Sequence, residues 1–523
     1  MRVFRYDLPV SDARTTISRR GLLKLGAGAA ITASTPATLA VSRSTRSADA
    51  KPRNVIFMVA DGMSPGVPAL AEAFSRIVRG AGAGTHWRDL AQRDDVTRGY
   101  LDMASLNSLV TDSAAASSSW GSGVRIFNWA LNTHPDGREL KPIAVLARER
   151  GKRIGLVTTT RITHATPAGF AAYAPNRDFE DDIAPQYIDR VDLLLGGGSM
   201  HFDSARRRDR RDLFAEYRNA GFTLLYSRDT LLNQPAADAR VLGLFWNDHL
   251  PYTIDRNREP AMQSRVPTLA EMTSSALQNL SHSPDGFLLQ VEGGRVDHAA
   301  HDNDAASMLH DQLAFDDAIG VALEFAKEHG DTLVIITTDH GTGNPGLSGM
   351  GSKYHESNAG LERLAHANAS FEVIHARLAE SQRQRQAPPD AAAMAEALKQ
   401  GTGIEVDPAT ARTLADVFAN SKAAAPVEMC TFQANIAGLL GQALSNHTGV
   451  TFTGITHTSD WALCLALGPG RERFSGLHAN TDAFEIIAEF FGIEHRNPRM
   501  TPDEAKPFAL LAPEIVIDRR YCT

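Results

Sequence analysis

Residues 292–301 (EGGRVDHAAH) concentrate groups that can bind a metal or transfer protons: Glu292, Asp297, His298 and His301. The short apolar run GFLLQV precedes them and predicts a buried strand, so Glu292 lies where that strand ends. Asp297 and His301 are four residues apart, and a helix after the glycines would place both on one face. Carboxylate oxygen with imidazole nitrogen is a ligand set that suits zinc. A solvated polar turn remains an alternative for this segment taken alone.

The elements that must position these groups follow an alternating pattern from residue 51 onwards. Apolar runs that close on polar or glycine residues predict strands at 54–63, 152–160, 191–198, 331–343 and 456–470. Helical patterns lie between them, for example at 141–150, 302–328 and 481–492. This alternation predicts an α/β fold, a three-layer α/β/α sandwich around a large, mostly parallel sheet.

In such a sheet, ligands bind at the carboxyl ends of the strands. Asp61, Glu292, Asp339 and His340 all come directly after predicted strands, so we expect them to meet at one edge. Acids delivered to one place by three strands would repel one another strongly without a cation between them. Metal binding is therefore the favoured interpretation.

Residues 346–446 differ in character and predict a mainly helical insertion that forms a cap or an interface element. Helical patterns cover 366–399, interrupted by Pro388 and Pro389, and also 404–420 and 430–444. Plain solvated surface helices are the alternative.

The first fifty residues predict an export signal and linker, with one domain over residues 51–523. The twin arginine of SRRGLLK (18–24) precedes LGAGAAITAST, a mildly apolar stretch rich in small residues, and the combination resembles a Tat signal. Cleavage could follow Ala40 or Ala50. The apolar stretch is too short to span a membrane. A periplasmic or secreted location is expected, and a basic tail is the alternative.

Charge and cysteine content exclude other classes of protein. The whole chain carries 53 Lys and Arg against 61 Asp and Glu, a net charge of −8. Residues 1–50 hold eight basic and three acidic residues, so 45 and 58 remain after them, a net charge of −13. Such an acidic protein is a poor candidate for nucleic-acid binding. Cys430, Cys464 and Cys522 are too few and too widely spaced for a disulfide framework, and we expect packing residues with at most one bridge.

Residues 110–120 (VTDSAAASSSW) offer a candidate nucleophile, Ser113, at the start of a predicted helix. Free backbone N–H groups at a helix N-terminus favour an anion there. Simple N-capping by a serine or aspartate is the alternative.

VTDSAAA, together with the ligand segments in this order, closely resembles the alkaline phosphatase family over nearly all of residues 54–492. The segments that carry the resemblance are VADGM, TDSAAA, HATPAGFAAYAPNR, VEGGRVDHAAH, TTDHGTG and HTSDWALCLALGP. The resemblance implies hydrolysis of small-molecule phosphate monoesters through a phosphoserine, with two Zn²⁺ ions and one Mg²⁺ ion. It also allows a homodimer.

Site residues carry over from the family at matching positions. Ser113 corresponds to the serine that is phosphorylated. The implied metal ligands are Asp61, Asp339 and His340 for the zinc that holds the Ser113 oxygen, Asp297, His301 and His457 for the zinc that supplies hydroxide, and Glu292, Thr166 and a bridging Asp61 for magnesium.

Other family positions bear on phosphate. Arg177 is expected to grip the phosphate, and Asp112 to orient Arg177. His298 would hydrogen-bond the phosphate directly or through water. His164 would lie near the magnesium and weaken its hydration shell. Histidine at both positions is similar to the animal enzymes, whereas the best-known enteric bacterial enzyme has Asp and Lys. Structural histidines are the alternative for both.

Two histidines compete for the last ligand position. HTG at His447 matches the family's usual string more literally than HTS at His457. The family's histidine opens a strand that ends in Gly-Pro eleven residues later, and Gly468-Pro469 satisfies that count from His457. A related two-metal phosphodiesterase or sulfatase, and a non-catalytic exported metal- or phosphate-binding protein, remain as alternative functions.

Overall fold

A computed structural model describes residues 51–233, 238–350, 353–419, 433 and 435–509. The predicted signal peptide and linker, its cleavage sites, and Cys430 and Cys522 lie outside these residues. Cys464 is buried and unbridged, as expected of a packing residue. No helix in the described ranges is long and apolar enough to cross a membrane.

Strands form where apolar, β-branched runs can be buried on both faces. Their bounds are β1 Asn54–Ala60, β2 Val96–Asp102, β3 Arg153–Arg161, β4 Leu193–Gly197, β5 Phe222–Leu225, β6 Arg240–Leu244, β7 Phe287–Gly293, β8 Thr332–Thr337, β9 Gly341–Thr342, β10 Gly346–Leu347, β11 Val450–Thr451, β12 His457–Thr458, β13 Ala462–Leu467 and β14 Gly476–Ala479.

Ten of these strands form one sheet in the order β14-β2-β13-β8-β1-β7-β3-β4-β6-β5. All neighbours are parallel except β13, which runs antiparallel to both β2 and β8. Alternate residues of β1 enter two separate apolar clusters, with Ile56 and Met58 on one face and Val55 and Phe57 on the other. The predicted α/β fold with a large, mostly parallel sheet is confirmed. The predicted strand at 456–470 is in fact two strands, β12 and β13, of which only β13 belongs to this sheet.

Helices cover both faces of the sheet. Those before and around the metal motifs are α1 Val67–Val78, α2 His86–Gln92, α3 Ser113–Ser122, α4 Ile143–Arg148, α5 Ala165–Ala171, α6 Glu180–Ile183, α7 Leu213–Asn219, α8 Arg228–Leu232, α9 Thr253–Arg256, α10 Pro260–Arg265, α11 Leu269–Leu280, α12 Arg295–His301 and α13 Ala305–Glu328. The predicted helix at 302–328 begins three residues later, because Asp304 caps it by accepting from the Ser307 N–H.

Between β10 and β11, which pair antiparallel, the described chain is helical. The remaining helices are α14 Ser357–Leu364, α15 Phe371–Arg385, α16 Ala391–Thr402, α17 Pro408–Ala419, α18 Ile436–Thr448, α19 Asp482–Phe490 and α20 Pro502–Ala509. Helices α15 to α18 share an apolar cluster of their own, which includes Ile374, Leu398 and Leu440. The pattern at 366–399 divides into α15 and α16, with the two prolines between them.

Candidate metal and phosphate site

The sheet register brings the carboxylates predicted at strand ends to one edge. Val59 of β1 pairs with Glu292 of β7 on one side and with Thr337 of β8 on the other. Asp61 lies two residues beyond Val59, and Asp339 two residues beyond Thr337, so both follow the ends of their strands on the same side of the sheet edge as Glu292. All three carboxylates are completely buried. The expected convergence on one rim is what the structure shows.

Asp297, His301 and His457 form the first cluster of possible ligands. His301 Nε2 lies 3.3 Å from Asp297 Oδ2 and 3.1 Å from His457 Nε2. The Nδ1–H of His301 donates to the Ile455 carbonyl at 2.6 Å, and that of His457 donates to the Thr111 carbonyl at 2.8 Å. Because each Nδ1 donates to a carbonyl, the neutral form of each ring presents the Nε2 lone pair to the cluster, as a metal ligand requires.

Asp61, Asp339 and His340 form the second cluster, beside the candidate nucleophile. His340 Nε2 lies 3.0 Å from Asp339 Oδ2 and 3.2 Å from Ser113 Oγ. Burial, and then the neighbouring carboxylates led by Asp339, raises the pKa of Asp61 well above its usual range. The rings of His340 and His457 stack with centroids 3.6 Å apart, so the first two clusters adjoin.

Asp61, Glu292 and His164 form the third cluster. The Thr158 and Thr160 hydroxyls both donate to Glu292 Oε2, the latter at 3.1 Å. Burial raises the pKa of Glu292 to about 7, although these hydroxyls act in the opposite direction. Asp61 belongs to both the second and the third cluster, which fits a bridging role.

Several buried polar atoms in these clusters lack any hydrogen-bond partner among the described residues. They are both carboxylate oxygens of Asp61, Oδ2 of Asp339, Oε1 of Glu292 and Nδ1 of His164, and Oγ1 of the predicted magnesium ligand Thr166 is unpaired in the same way. Buried carboxylate oxygens are costly unless they are hydrogen-bonded or coordinate a metal. The oxygen-rich third cluster suits a hard cation such as Mg²⁺, and the mixed nitrogen and oxygen sets suit Zn²⁺. The donor sets therefore fit the metals expected from the sequence.

Ser113 is the first residue of α3, and Asp112 is its N-cap. One Asp112 oxygen accepts from the Ala115 N–H at 3.0 Å, and the other accepts from Arg177 Nη1 at 3.1 Å. Arg177 Nη2 donates to His164 Nε2 at 2.8 Å. The predicted orientation of Arg177 by Asp112 is thus present as a hydrogen bond. The N-cap alternative describes Asp112 and not Ser113, whose hydroxyl is directed to His340.

Three imidazoles pack together beside Arg177. The ring of His298 lies 5.7 Å from that of His164 and 4.5 Å from that of His249, centroid to centroid. Burial, followed by nearby arginines, lowers the pKa of all three well below the usual value, so they are neutral at pH 7. His249 Nδ1 accepts from the Arg161 N–H at 3.2 Å.

Sequence reasoning predicted the candidate ligands and missed the groups that surround them. Those missed are Thr158, Thr160, His249, Arg295 and Thr342, the last of which donates to Asp297 Oδ1 at 2.5 Å. The threonine run TTT at the end of β3 was the one available signal, because residues two apart on a strand face the same side. His447 belongs to none of the ligand clusters found in the described ranges. It lies at the end of α18, and its carbonyl accepts a hydrogen bond from Arg363 of α14.

A family model described as alkaline phosphatase matches residues 52–493. The chain belongs to the alkaline phosphatase family. Alkaline phosphatase 4 of Bacillus subtilis (strain 168) is 33% identical over 446 residues, which cover 83% of this chain and 88% of the relative. Alkaline phosphatase 3 of the same organism is 33% identical over 387 residues, covering 71% and 75%. This alkaline phosphatase is thus a phosphoric monoester hydrolase with a metal-binding site.

Solved structures agree with this assignment. The Thermus thermophilus alkaline phosphatase superposes with a TM-score of 0.81 at 35% identity, covering 88% of this chain and 96% of that one. A cold-active alkaline phosphatase from Shewanella sp. superposes with a TM-score of 0.67 at 25% identity, covering 84% and 99%.

Proposed function

We propose that this alkaline phosphatase hydrolyses phosphate monoesters through a phosphoserine at Ser113. The observation that carries the proposal is the position of Ser113 Oγ, 3.2 Å from His340 Nε2 in a cluster where both oxygens of Asp61 and Oδ2 of Asp339 lack hydrogen-bond partners in the described chain. The hydroxyl lies at the N-terminus of a ten-residue helix, where backbone N–H groups favour a phosphate dianion.

Substrate binding is a problem of charge, because a phosphate monoester dianion repels nucleophiles. Arg177 offers a planar fork of N–H donors that matches two phosphate oxygens. Asp112 and His164 both accept hydrogen bonds from the Arg177 guanidinium, so this side chain loses little rotational freedom when the phosphate binds. His298 adds a neutral hydrogen-bond donor for the phosphate.

Two substitutions at phosphorus follow. The Ser113 hydroxyl loses its proton to solvent and its oxygen attacks phosphorus in line. The ester P–O bond breaks, and the alcohol leaves with a proton from solvent. Water then attacks the phosphoserine from the opposite side, which releases inorganic phosphate and restores the hydroxyl. Each step inverts the configuration, so the overall result is retention at phosphorus.

The proposed ligands are Asp61, Asp339 and His340 for one Zn²⁺, Asp297, His301 and His457 for the other, and Asp61, Glu292 and Thr166 for Mg²⁺. When bound, these cations supply the positive charge that lowers the pKa of the serine hydroxyl and of water and neutralises the leaving oxygen. The carboxylates and imidazoles hold that charge within reach of Ser113.

Export by a Tat signal in residues 1–50, with a periplasmic or secreted location, is part of the proposal and is supported by the twin-arginine pattern. A homodimer is proposed from the family resemblance alone. Fractionation of cells expressing the full chain, with Lys or Ala in place of Arg19 and Arg20, would test export. Light scattering would test the dimer.

The decisive experiment replaces Ser113 with Ala and uses Ser119→Ala as its matched control. Ser119 is a buried serine on the same helix whose hydroxyl donates to the Ala115 carbonyl at 2.9 Å. We expect Ser113→Ala to lose at least about 10³-fold in kcat on an aryl phosphate while zinc content stays unchanged. Equal turnover in the two variants would contradict the assignment of Ser113.

The same assay separates the alternative functions. Wild-type rates on an aryl phosphate monoester, diester and sulfate should favour the monoester, because Arg177 is placed to bind two free phosphate oxygens. A preference for diester or sulfate would instead support a related two-metal hydrolase. Failure to release phosphate from any monoester would support a non-catalytic binding protein.

A further inference from the structure

Arg295 is a buried arginine on α12, the helix that carries Asp297 and His301, and it contacts His298 directly. It opens α12, and the whole residue is only 4% exposed. Its Nη1 donates to His298 Nδ1 at 2.7 Å, and its Nη2 donates to Glu372. The guanidinium carbon lies 3.7 Å from the centroid of the Tyr252 ring, a cation–π contact. Two directed bonds and one stacking contact therefore hold the side chain in a single pose.

The bond to His298 determines which nitrogen of that ring carries the proton. A guanidinium has N–H donors and no acceptor, so His298 Nδ1 must receive this bond through its lone pair. The single proton of the neutral imidazole is then on Nε2. Arg295 thus holds His298 in the tautomer that presents an N–H donor from Nε2.

One ring, that of His164, lies between His298 and the arginine that is proposed to bind phosphate. The His298 ring packs against His164, and His164 accepts from Arg177 Nη2. An Nε2–H donor adds a hydrogen bond to a phosphate in this place, whereas an unprotonated Nε2 would present a lone pair and repel it. The tautomer of His298 therefore decides between attraction and repulsion of the same ligand.

Glu372 brings the helical insertion into this chain of contacts. It lies in the first turn of α15, and its position is set by backbone bonds at the start of that helix. The Ser370 N–H donates to Asp255 Oδ1 at 2.9 Å, and the Phe371 N–H donates to Asp304 Oδ2 at 2.8 Å. Both acids belong to the body of the enzyme outside the insertion. These two hydrogen bonds anchor the insertion to the rest of the enzyme next to Glu372, which accepts a hydrogen bond from Arg295.

We propose that Arg295 is a positioning residue that fixes His298 as an Nε2–H donor to phosphate, and that Glu372 of the insertion holds Arg295 in place. The inference rests on the proposed function, because it needs phosphate beside Arg177. It assigns the insertion a role in phosphate affinity beyond that of a surface cap.

The alternative is that Arg295 only fills space under Tyr252. A double-mutant cycle separates the two, because a residue that acts through His298 has no further effect once its action on His298 is removed. His298→Gln provides that background, since a glutamine amide can supply an N–H close to the Nε2 position without help from Arg295. Arg295→Met keeps an unbranched side chain, and Arg295→Lys keeps one donor for His298 Nδ1.

The test measures the Kd for inorganic phosphate by calorimetry, together with KM and kcat on an aryl phosphate, for the zinc- and magnesium-loaded enzyme. We expect Arg295→Met to raise Kd and KM by about 10-fold, the scale of one lost hydrogen bond next to a charged group, with a smaller change in kcat. Arg295→Lys should recover most of this loss. In the His298→Gln background, Arg295→Met should leave Kd unchanged within about 2-fold.

Glu372→Gln tests the contribution of the insertion, with Glu380→Gln as its control on the same helix. The Glu372 side chain is 61% exposed, so its replacement should not prevent folding. Glu380 bonds Arg383 on the helix surface at 2.6 Å. Glu372→Gln should raise the phosphate Kd by about 2- to 5-fold, and Glu380→Gln should not.

Equal effects of Arg295→Met in the wild-type and His298→Gln backgrounds would overturn the proposal, as would an unchanged Kd in the folded single variant. If Arg295→Met fails to fold, Arg295→Lys and Glu372→Gln carry the test, and wild-type phosphate affinity in both would overturn the proposal. Equal Kd in Glu372→Gln and Glu380→Gln would remove the insertion from it. A wild-type enzyme without monoesterase activity would instead refute the proposed function.

Discussion

Gly62 contacts Asp297 of the first ligand cluster and Asp339 of the second. Its replacement therefore gives the sharpest test of the site geometry. The residue follows Asp61 with a φ of +71°, and its N–H donates to Asp339 Oδ1 at 3.0 Å. A Cβ on Gly62 would lie 2.6 Å from Asp297 Oδ1 and 2.7 Å from Asp297 Cα. Because ordinary contacts between carbon atoms are about 3.5–4.0 Å, Asp297 or the Gly62 backbone must move by about 1 Å.

The expected effect of Gly62→Ala has two parts. The left-handed backbone conformation costs an L-residue about 1–2 kcal/mol in stability. The displacement acts on metal binding, because ligand distances are held to within about 0.2 Å, and smaller disturbances around a ligand already lower affinity about 10- to 100-fold. We therefore expect zinc affinity at the Asp297 cluster to fall by at least about 100-fold, and turnover at limiting zinc to fall with it.

Gly492→Ala is the matched control. Gly492 has a φ of +66°, and no atom of the described residues lies within 4 Å of a Cβ built on it. Measured by denaturant unfolding in chelator, both variants should lose stability through the backbone cost, and Gly62→Ala should lose more because its Cβ also displaces Asp297. Zinc bound per chain, measured by mass spectrometry after dialysis against graded zinc buffers, should fall only for Gly62→Ala. Equal zinc affinity in the two variants would refute the argument that Gly62 leaves room for Asp297.

Three further predictions follow from the site and the insertion. Arg177→Ala should raise the inhibition constant for phosphate about 10- to 100-fold, and unchanged inhibition would count against its role. Chelation should lower the melting temperature, because it leaves the buried carboxylates to repel one another, and an unchanged value would show that they hold no cation. Burial lowers the pKa of His375, which lies between Phe371 and Phe418, to about 4 from 6.5. The native state therefore binds a proton at His375 less readily than the unfolded chain does. Up to about 3 kcal/mol of the free energy of unfolding is lost as the pH falls from 6.5 through 4. His375→Leu should flatten that part of the pH–stability curve, whereas leucine at the exposed His366 should leave it unchanged.

Local sequence pattern was sufficient to predict that several of the candidate metal ligands lie together. Asp297 and His301 share a helix face because they are four residues apart, and the structure places their side chains 3.3 Å from each other. Asp61, Glu292 and Asp339 meet at one rim because parallel strands present their carboxyl ends at the same edge. Both arguments depend on periodicities that any helix or parallel sheet obeys, so they needed no knowledge of the neighbours in space.

The less regular parts of the sheet could not be predicted in this way. Strand β14 has only four residues, and β2 is partly exposed at several of its seven positions, so their strand conformation depends on pairing of β2 with β13 and of β14 with β2. The apolar pattern of β13 likewise does not predict that this strand runs antiparallel to its neighbours. Strand order and direction follow from how the chain returns to the sheet, which short-range periodicity does not record.

The sequence by itself was enough to predict the family, the candidate metal ligands and the candidate nucleophile, because six short motifs resemble those of alkaline phosphatases and occur in the same order. Tertiary structure alone decided which groups support them. Ser113 meets His340 across 227 residues, and Arg295 meets Glu372 across 77. Such pairs depend on the register of strands and the docking of helices, and a shift of one residue or a few ångströms would separate them. The proton positions on His298, His301 and His457 follow from partners that only the folded chain supplies.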